Sequence, residues 1–400
     1  MESLLIYYSI FFLTFVFGIH IIWLLYCKLR HRFWSSQPVF QYYQWWNWFR
    51  QYSIIYPPVP DKNRYVNQEK ITTYNWKKLS NIHLQQYSSL VQNNFLNTES
   101  VIYNPSIEDI SCYFESHNSP CFISLYTEKE LSKDQSMRLV RTQKLVGGIT
   151  SRPLYLSFNK RNIKHIVSYV DYLCITHDSR KRNIAPQLIQ THIYNERKEN
   201  ANCQIHLFRR DTILSHIVPL TLFTTNVYAL EEWKQPNEFR KPGYHILEVN
   251  QHTIHQFLLY LKEAPFLCTI YPHFSHIISL LSSSHIHIYL LRENNTILGC
   301  YGFRNATTLF EGNSVWDCIF SVKSDSLENH NFMIGFRHAL KKCVETEKFP
   351  FISIDGISHN GIIMNYLDVW YRPYKSYPCA YYLYNYIVAP FEPHNVFVLH

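Results

Sequence analysis

The sequence predicts a mixed α+β protein preceded by one membrane-spanning helix. The first observation is an uncharged, strongly apolar run near the N-terminus, Leu4–Cys27. The second is that short apolar segments of strand length alternate with longer segments of helical periodicity through the rest of the 400 residues. The order strand–strand–strand–helix occurs in both halves, which suggests a duplicated unit, although no residue-level repeat is visible.

The composition is that of a folded, aromatic-rich protein. Charged residues make up 17% and aromatic residues 16% of the chain, which excludes a disordered protein, and the net charge of +8 suits nucleic acid, acidic lipid or a phosphorylated ligand. The ten cysteines occur singly, so we expect buried thiols and neither a zinc site nor a disulfide framework. For His285 and His287, a packing or surface role is more common than metal binding, and we expect no metal.

The N-terminal run has the length that a helix needs to cross a bilayer. It lacks the basic leader and the small residues at a cleavage site that a signal peptide would have, and it closes on the bulky residues 23–26. Three cations follow it, Lys28, Arg30 and Arg32, so the positive-inside rule predicts that the rest of the chain is cytoplasmic. The alternative is a buried core helix, but a soluble helix should show a polar face.

The first half predicts an irregular segment, one helix, three strands and a second helix. Residues 35–75 are rich in Tyr, Trp, Gln and Pro and predict an irregular segment over the surface. Gly147 and Gly148 indicate a bend or bulge in the first strand, and Pro186 is tolerated in the first turn of the second helix. The elements are a helix over 78–95, strands over 145–150, 154–158 and 167–176, and a helix over 185–200.

The second half repeats this order after a polar stretch, residues 231–243, which is the best candidate for a boundary. The predicted elements are a helix over 250–263, strands over 286–293, 297–304 and 316–322, a helix over 332–347, and strands over 351–356, 380–388 and 395–400.

The densest positive charge of the chain lies in the short turn between a buried strand and a helix. Arg180, Lys181 and Arg182 lie where the first N–H groups of the helix are unpaired, and such a helix start binds anions. The turn therefore suits a pyrophosphate or several phosphates. It matches neither GxxxxGK nor GxGxxG, but acyl-CoA-dependent acyltransferases of the GNAT type use this arrangement. Taken by itself, the stretch would favour a solvated basic turn.

Six segments, in order from residue 31 to the last residue, resemble the glycylpeptide N-myristoyltransferase family. They are HRFWSSQPV at 31–39, KLVGGI at 144–149, DYLCITHDSRKRNIAPQLI at 171–189, GYHILEV at 243–249, YYLYNY at 381–386 and VFVLH at 396–400. The chain is identified as a divergent, membrane-anchored member of that family, and the apolar N-terminal run lies outside the resemblance.

The resemblance implies a fold and a reaction. Two GNAT-like halves would form a saddle-shaped sheet: residues 31–235 would bind acyl-CoA and residues 236–400 would bind the peptide, after an anchor and basic flank over 1–30. Myristoyl would pass from myristoyl-CoA, a co-substrate, to the N-terminal glycine of proteins, with no permanently bound cofactor. We expect a monomer with no nucleic-acid partner, a single-pass membrane protein that contacts the membrane through residues 4–27 and whose catalytic domain faces the cytoplasm.

The resemblance also implies site residues. The backbone amides of Tyr172 and Leu173, beside Asp171, would form the oxyanion hole, and the terminal carboxylate of His400 would be the general base. The peptide would contact Glu99, Tyr103, Arg209, Tyr382 and Leu399. The acyl-CoA would be held by Arg32, Phe33, Trp34, Tyr172, Leu173, Cys174, Ile175, Arg180, Lys181, Arg182, Asn183, Ile184 and Ala185. Without the resemblance, VFVLH would be an ordinary edge strand.

The chain departs from the family mainly on the peptide side. Asp171 replaces an Asn beside the oxyanion hole, Arg209 falls where a Thr hydroxyl lies near the glycine amine, and an acidic run is reduced to Glu99. A cation at residue 209 would repel an ammonium. The alternatives are therefore an enzyme with altered peptide choice, a weak enzyme, or an inactive membrane-anchored acyl-CoA-binding relative. A third class is a structural membrane protein that only holds a partner, against which the preserved phosphate turn argues.

Overall fold

The computed structural model describes residues 2–96, 98, 100–133, 139–230, 239, 243–344 and 351–400. Its helices are α1 (Glu2–Arg30), α2 (Asn81–Asn94), α3 (Ile107–Ser111), α4 (Ile184–Glu199), α5 (Ile254–Glu263), α6 (Phe274–Ser282), α7 (Asn329–Val344) and α8 (Asn360–Trp370). Its strands are β1 (Ser53–Ile54), β2 (Ile71–Asn75), β3 (Val101–Tyr103), β4 (Phe122–Lys133), β5 (Leu139–Phe158), β6 (Ile163–Ile175), β7 (Ile205–Arg210), β8 (Thr221–Ala229), β9 (Tyr244–Glu248), β10 (Cys268–Tyr271), β11 (His287–Glu293), β12 (Thr296–Phe310), β13 (Asn313–Lys323), β14 (Phe351–Asp355), β15 (Lys375–Tyr384), β16 (Tyr386–Ile387) and β17 (Val396–Val398).

One large mixed sheet organises the fold, so the predicted mixed α and β class is confirmed. Within the described residues it has fifteen strands, while β1 and β16 pair separately. Its strand order is β17-β10-β5-β6-β7-β15-β8-β14-β13-β12-β11-β9, with β4 joining β5, β2 joining β4, and β3 joining β12. The C-terminal strand β17 lies at one end of this order.

The same supersecondary unit occurs twice. In the first half, β4, β5 and β6 are antiparallel neighbours, and α4 crosses over to β7, which runs parallel to β6. In the second half, β11, β12 and β13 are antiparallel neighbours, and α7 crosses over to β14, parallel to β13. β15 lies between β7 and β8 and joins the two units into one sheet. The predicted boundary at 231–243 lies, apart from Phe239 and Gly243, outside the described residues.

The two predicted strands over 145–150 and 154–158 are wrong as separate elements, because both belong to β5. Pro153 lies between them and has no N–H to donate. On one side it pairs with Ser168 of β6. On the other edge of β5, the pairing with β4 ends at Ser151 and the pairing with β10 begins at Tyr155. Pro153 lies in the gap between these two pairings, so its missing N–H interrupts no hydrogen bonds on that edge.

The predicted irregularity at Gly147 and Gly148 is present as a bulge. The register between β5 and β6 shifts between Gly148 and Thr150, so Tyr172 and Leu173 of β6 have no partner residue across the ladder. A Cβ on Gly148 would lie 2.5 Å from a ring carbon of Tyr87, so only glycine fits at that position. The bulge therefore turns two backbone amides of β6 away from ladder hydrogen bonding.

The cysteine side chains are buried, whereas the N-terminal helix is largely exposed. All ten cysteines are buried free thiols, as expected. No group of three His, Cys, Asp or Glu among the described residues could hold a metal. The helix over Ile6–Arg30 is long and apolar enough to cross a membrane, and only 6% of its apolar window is buried. It is therefore not a core helix of this fold.

Four histidines within the fold have strongly lowered pKa values, and three of them, His117, His192 and His276, are buried. Burial lowers the pKa of His117, His192 and His359 to about 4. Burial and the neighbouring His117 lower the pKa of His276 to about 2. These imidazoles are neutral at pH 7, because protonation would place a charge in a poorly solvated site.

We expect acid to destabilise the protein. An unfolded histidine binds a proton below about pH 6.5, whereas these four do so only near pH 4 or lower, so the unfolded state gains protons first and unfolding becomes easier as pH falls. Between pH 7.5 and 5.5 each should cost about 1 kcal/mol. The difference between the melting temperatures at the two pH values should become smaller in His276→Gln, while the exposed control His252→Gln should keep the difference of the unmodified protein. Equal slopes for the two variants would contradict this account.

Candidate active site

A cavity of about 1070 Å³ opens where the two repeated units meet. Its walls come from β6, α4 and β7 of the first unit and from β12, β13 and β14 of the second, and the last residue, His400, also lines it. The volume is in the upper range of small-molecule sites. One side of the cavity is apolar and the other is charged.

The apolar side is formed by aromatic and branched side chains. Trp34 stacks on Phe208 of β7 with ring centroids 5.5 Å apart, and Phe33 contacts Trp34 edge-on at 5.1 Å. Ile189 and Ile193 of α4 complete this wall, because they lie one turn apart on the face that packs toward the sheet. The arrangement suits a long hydrocarbon chain.

The bulge in β6 lies between the apolar and the charged sides. Tyr172 has a left-handed φ of 48°, which is strained for a non-glycine residue. Its N–H donates to Oδ1 of Asp171 over 2.8 Å. Its hydroxyl lies 2.8 Å from the Tyr103 hydroxyl, and its carbonyl accepts from Tyr87. One of the two amides predicted for the oxyanion hole is therefore engaged by the neighbouring carboxylate, while Leu173 lies in the unpaired part of the ladder.

The basic turn forms a concave run of backbone amides. Lys181 and Asn183 both have left-handed φ values, 65° and 58°, on either side of Arg182. Alternation of this kind turns successive N–H groups toward one point and creates an anion nest. Asn183 is the N-cap of α4 and makes no side-chain cap, so its side chain leaves the first N–H groups of the helix open to an acceptor.

The three cations of this turn have different surroundings. Arg182 donates to Glu128 over 2.9 Å, so its charge is already balanced. Arg180 donates to the carbonyl of Asn94 over 2.7 Å. Lys181 is exposed and has no hydrogen-bond or ion-pair partner in the part of the chain that the structure describes. Lys181 is therefore the cation most available to a phosphate.

Arg209 on the charged side is held by a carboxylate that the sequence analysis did not identify. Its guanidinium donates to both oxygens of Asp355, over 2.6 and 3.1 Å, and to Asp211 over 3.3 Å. Thr225 donates to Asp355 over 2.7 Å. This bidentate ion pair balances the charge of Arg209, so the guanidinium does not repel an ammonium as an unpaired cation would.

Two further arginines in the cavity are also paired. Arg152 donates to Asp171 over 3.4 Å, and its guanidinium lies 4.8 Å from the centre of the Tyr169 ring. Arg304 donates to Asp317 over 3.0 Å.

The end of the chain lies beside Arg304. Arg304 Nη1 lies 3.4 Å from the backbone oxygen of His400, and His400 is 8% exposed. Each of the three arginines already has an aspartate partner, so their charges are balanced around His400.

The imidazole of His400 is fixed and neutral. Nε2 lies 2.8 Å from the Tyr381 hydroxyl, and the ring stacks on Tyr169 with centroids 4.4 Å apart. Burial, with the nearby arginines, holds the pKa of this imidazole well below its usual value. The imidazole therefore positions the end of the chain and carries no charge at neutral pH.

The structure brings together about half of the predicted site residues. Those that line the cavity are Phe33, Trp34, Tyr103, Asp171, Tyr172, Leu173, Ala185, Arg209 and His400. Those that do not line it are Arg32, Cys174, Ile175, Arg180, Lys181, Arg182, Asn183, Ile184, Tyr382 and Leu399. Glu99 lies outside the described residues.

Sequence reasoning missed the charged residues that lie inside strands. Arg152, Arg304 and Asp317 each interrupt an apolar strand segment, and Asp355 ends one, which is the signal that could have identified them. Buried ionisable residues of this kind need partners. Their pairing joins residues far apart in the chain, so the sequence does not show which partners meet.

An acidic rim was also missed. Glu108 and Asp109 line the cavity. A hydrogen bond from His285 lowers the pKa of Asp109 to about 2, so Asp109 is ionised.

Comparisons with known proteins give a consistent result. Residues 63–205 match the family model described as Myristoyl-CoA:protein N-myristoyltransferase, N-terminal domain. The fold is similar to a crystal structure of Saccharomyces cerevisiae N-myristoyltransferase with bound myristoyl-CoA, at a TM-score of 0.67 and 13% identity, covering 90% of this chain and 94% of that one. A second structure of the yeast protein with myristoyl-CoA gives a TM-score of 0.68 at 14% identity, covering 91% and 90%. The search of curated proteins found no significant match.

We expect the pair Arg209–Asp355 to be a stability determinant. Asp355→Asn should lower the free energy of unfolding by about 1–3 kcal/mol, because the partly buried guanidinium of Arg209 loses its bidentate partner and keeps only Asp211. The double variant Asp355→Asn with Arg209→Gln should recover a large part of that loss, since both charges are then removed. Urea unfolding in mild detergent measures both. A double variant no more stable than Asp355→Asn would rule out this pairing as the cause.

Proposed function

We propose that this chain, whose residues 63–205 match the family model of the N-myristoyltransferase N-terminal domain, transfers myristoyl from myristoyl-CoA to the amine of an N-terminal glycine. The observation that carries the proposal is the buried last residue, His400, beside Arg304 on the charged side of the cavity. A carboxylate held there can accept a proton from an amine that reacts next to it.

The apolar side would hold the acyl chain, with Phe33 and Trp34 covering it. The CoA phosphates would bind the amide nest and Lys181, and the pantetheine would run along Cys174 and Ile175 of β6. This path connects the phosphate turn to the bulge, because β6 leads directly from the bulge into the turn. The thioester carbonyl would then lie beside Leu173.

The transfer step forms one C–N bond and breaks one C–S bond. The glycine amine attacks the thioester carbon, the oxyanion accepts from the Leu173 N–H, and the carboxylate of His400 takes the proton that the amine releases. The tetrahedral intermediate collapses and CoA leaves as a thiolate. Tyr172 contributes its N–H only if the Asp171 carboxylate releases it.

The second candidate is an acyl-CoA-binding relative without turnover. One observation favours it: the Asp171 carboxylate occupies an amide of the oxyanion hole and places a negative charge where another must develop. The pairing of Arg209 with Asp355 favours turnover, because it removes the cation that would repel the amine. Glu108 and Asp109 at the rim favour peptides with cationic residues after the glycine.

The helix α1 would anchor the enzyme in a membrane. Its apolar window spans Ile6–Arg30, and 25 residues of helix rise about 37 Å, enough to cross a hydrocarbon core. By the positive-inside rule, Lys28, Arg30 and Arg32 at its end support a cytoplasmic location for the catalytic part.

We expect Lys181→Ala to weaken acyl-CoA binding without loss of stability. An exposed side chain with no partner contributes little to folding, whereas a charge-assisted bond to phosphate is worth about 1.5 kcal/mol, roughly tenfold in affinity. Calorimetric titration with myristoyl-CoA measures the change, and the exposed Lys262→Ala on α5 is the matched control. Identical affinities for the two variants would mean that the turn is only a solvated surface.

We expect one extra glycine after His400 to abolish transfer. The extension moves the carboxylate by up to ~3.5 Å and places another peptide unit in a closed, charged pocket. His400→Gln keeps the carboxylate in place and should transfer far faster than the extended form. Single-turnover transfer with myristoyl-CoA compares the three forms.

Two outcomes of that comparison would contradict the proposal. Transfer by the extended form at the unmodified rate would show that the carboxylate is not the base. Loss of transfer only in His400→Gln would make the imidazole the base instead.

A further inference from the structure

The segment that follows the N-terminal helix carries a dense cluster of exposed aromatic side chains. The exposed fractions are 61% for Trp45, 45% for Trp46, 38% for Trp48, 81% for Phe49 and 47% for Tyr42. Contiguous apolar surface of this kind on a folded protein marks an interaction site. The proposed acyl transfer does not use this surface, because none of its residues lines the cavity.

We propose that this aromatic segment, residues 42–49, is a second membrane contact that docks the soluble part onto the bilayer crossed by α1. The inference rests on the proposed membrane anchor. The occupant to which it commits is the interfacial region of a lipid bilayer.

Hydrogen bonds and side-chain packing hold the aromatic segment in a defined conformation. Residues Trp45–Phe49 form a short 3₁₀ helix, and Asn47 within it is buried and donates to Gln44 over 2.7 Å. Trp48 packs edge-on against the buried Phe40 with ring centroids 4.9 Å apart. Asn47 and Trp48 therefore hold the turn in place, while Trp45, Trp46 and Phe49 are exposed and the ring of Trp45 contacts the other two.

The segment is tied to the end of α1. His31, one residue after α1, stacks on His216 with centroids 3.6 Å apart. The carbonyl of the same His216 accepts the N–H of Tyr42 over 3.2 Å. One residue thus contacts both the end of the helix and the start of the aromatic segment, so a bilayer that holds α1 reaches this surface.

The chemistry of the segment matches the interface and not the hydrocarbon core. Trp and Tyr concentrate at the boundary between lipid and water because their rings are apolar and their N–H or O–H groups are polar. Arg50, exposed directly after the segment, adds a cation for lipid phosphates. A protein partner would not require the segment to lie next to a transmembrane helix.

This docking would place the acyl pocket at the membrane surface. The backbone continues in helical hydrogen bonds from Cys27 through His31 to Ser35, so Trp34 lies about 6 Å along the axis from Arg30. Trp34 covers the apolar side of the cavity, and its carbonyl accepts from Gln41, at the start of the aromatic segment. The acyl chain would enter and leave beside lipid.

The test uses the full chain in phosphatidylcholine vesicles. An environment-sensitive NBD label is attached to cysteine in Phe49→Cys and, as a control, in Leu259→Cys on α5, which is 58% exposed; the native cysteines are all buried. We expect the label at residue 49 to shift to the blue and to lose most of its emission when brominated lipids replace the ordinary ones. The label at residue 259 should do neither.

Two readouts separate this proposal from the anchor. Extraction of the vesicles at alkaline pH reports whether α1 is inserted: release of the protein would overturn the anchor and the docking together. Retention with an unquenched, unshifted label at residue 49 would overturn the docking alone. A blue shift without quenching by brominated lipid would mean that protein, such as a second copy, covers the segment, and would also overturn the docking.

Discussion

The charge balance around the end of the chain is the constraint on which the cavity depends. β17 pairs in parallel with β10, and the N–H of Leu399 donates to the carbonyl of Ile270. These hydrogen bonds hold the last residues of the chain in a buried position. Arg304 lies beside this buried last residue. A buried guanidinium needs a carboxylate, so Arg304 pairs with Asp317, and the neighbouring arginines pair with their own aspartates. The charged side of the cavity is therefore a set of paired arginines and aspartates around His400.

The bulge in β6 connects this charged side to the acyl side. Tyr172 and Leu173 leave the ladder at the point where β6 passes between the apolar wall and the paired arginines. Asp171, one residue earlier, pairs with Arg152 and accepts the Tyr172 amide. The same carboxylate thus balances a buried guanidinium and accepts the amide proposed as an oxyanion donor, so in the proposed mechanism stability and turnover would compete at this residue.

The sequence indicated local features well and long-range pairings poorly. The apolar N-terminal helix, the helix α4 with its basic turn, and the bulge at Gly147 and Gly148 each depend on patterns within a few residues. By contrast, the continuity of β5 through Pro153 depends on where β4 ends and β10 begins, which only the folded sheet determines. The partners of Arg182 and Arg209, Glu128 and Asp355, were likewise not predictable, because each contact joins elements distant in sequence.

The most direct test of the central claim is acyl transfer by the full chain in detergent. Myristoyl-CoA is mixed with a panel of peptides that begin with glycine, and with the same peptides acetylated at the glycine amine, while free CoA is followed and the products are weighed by mass spectrometry. The account predicts CoA release and a myristoyl mass gain only with free glycine amines. Tight myristoyl-CoA binding with no CoA release for any peptide would contradict it and identify the protein as an acyl-CoA-binding relative without turnover.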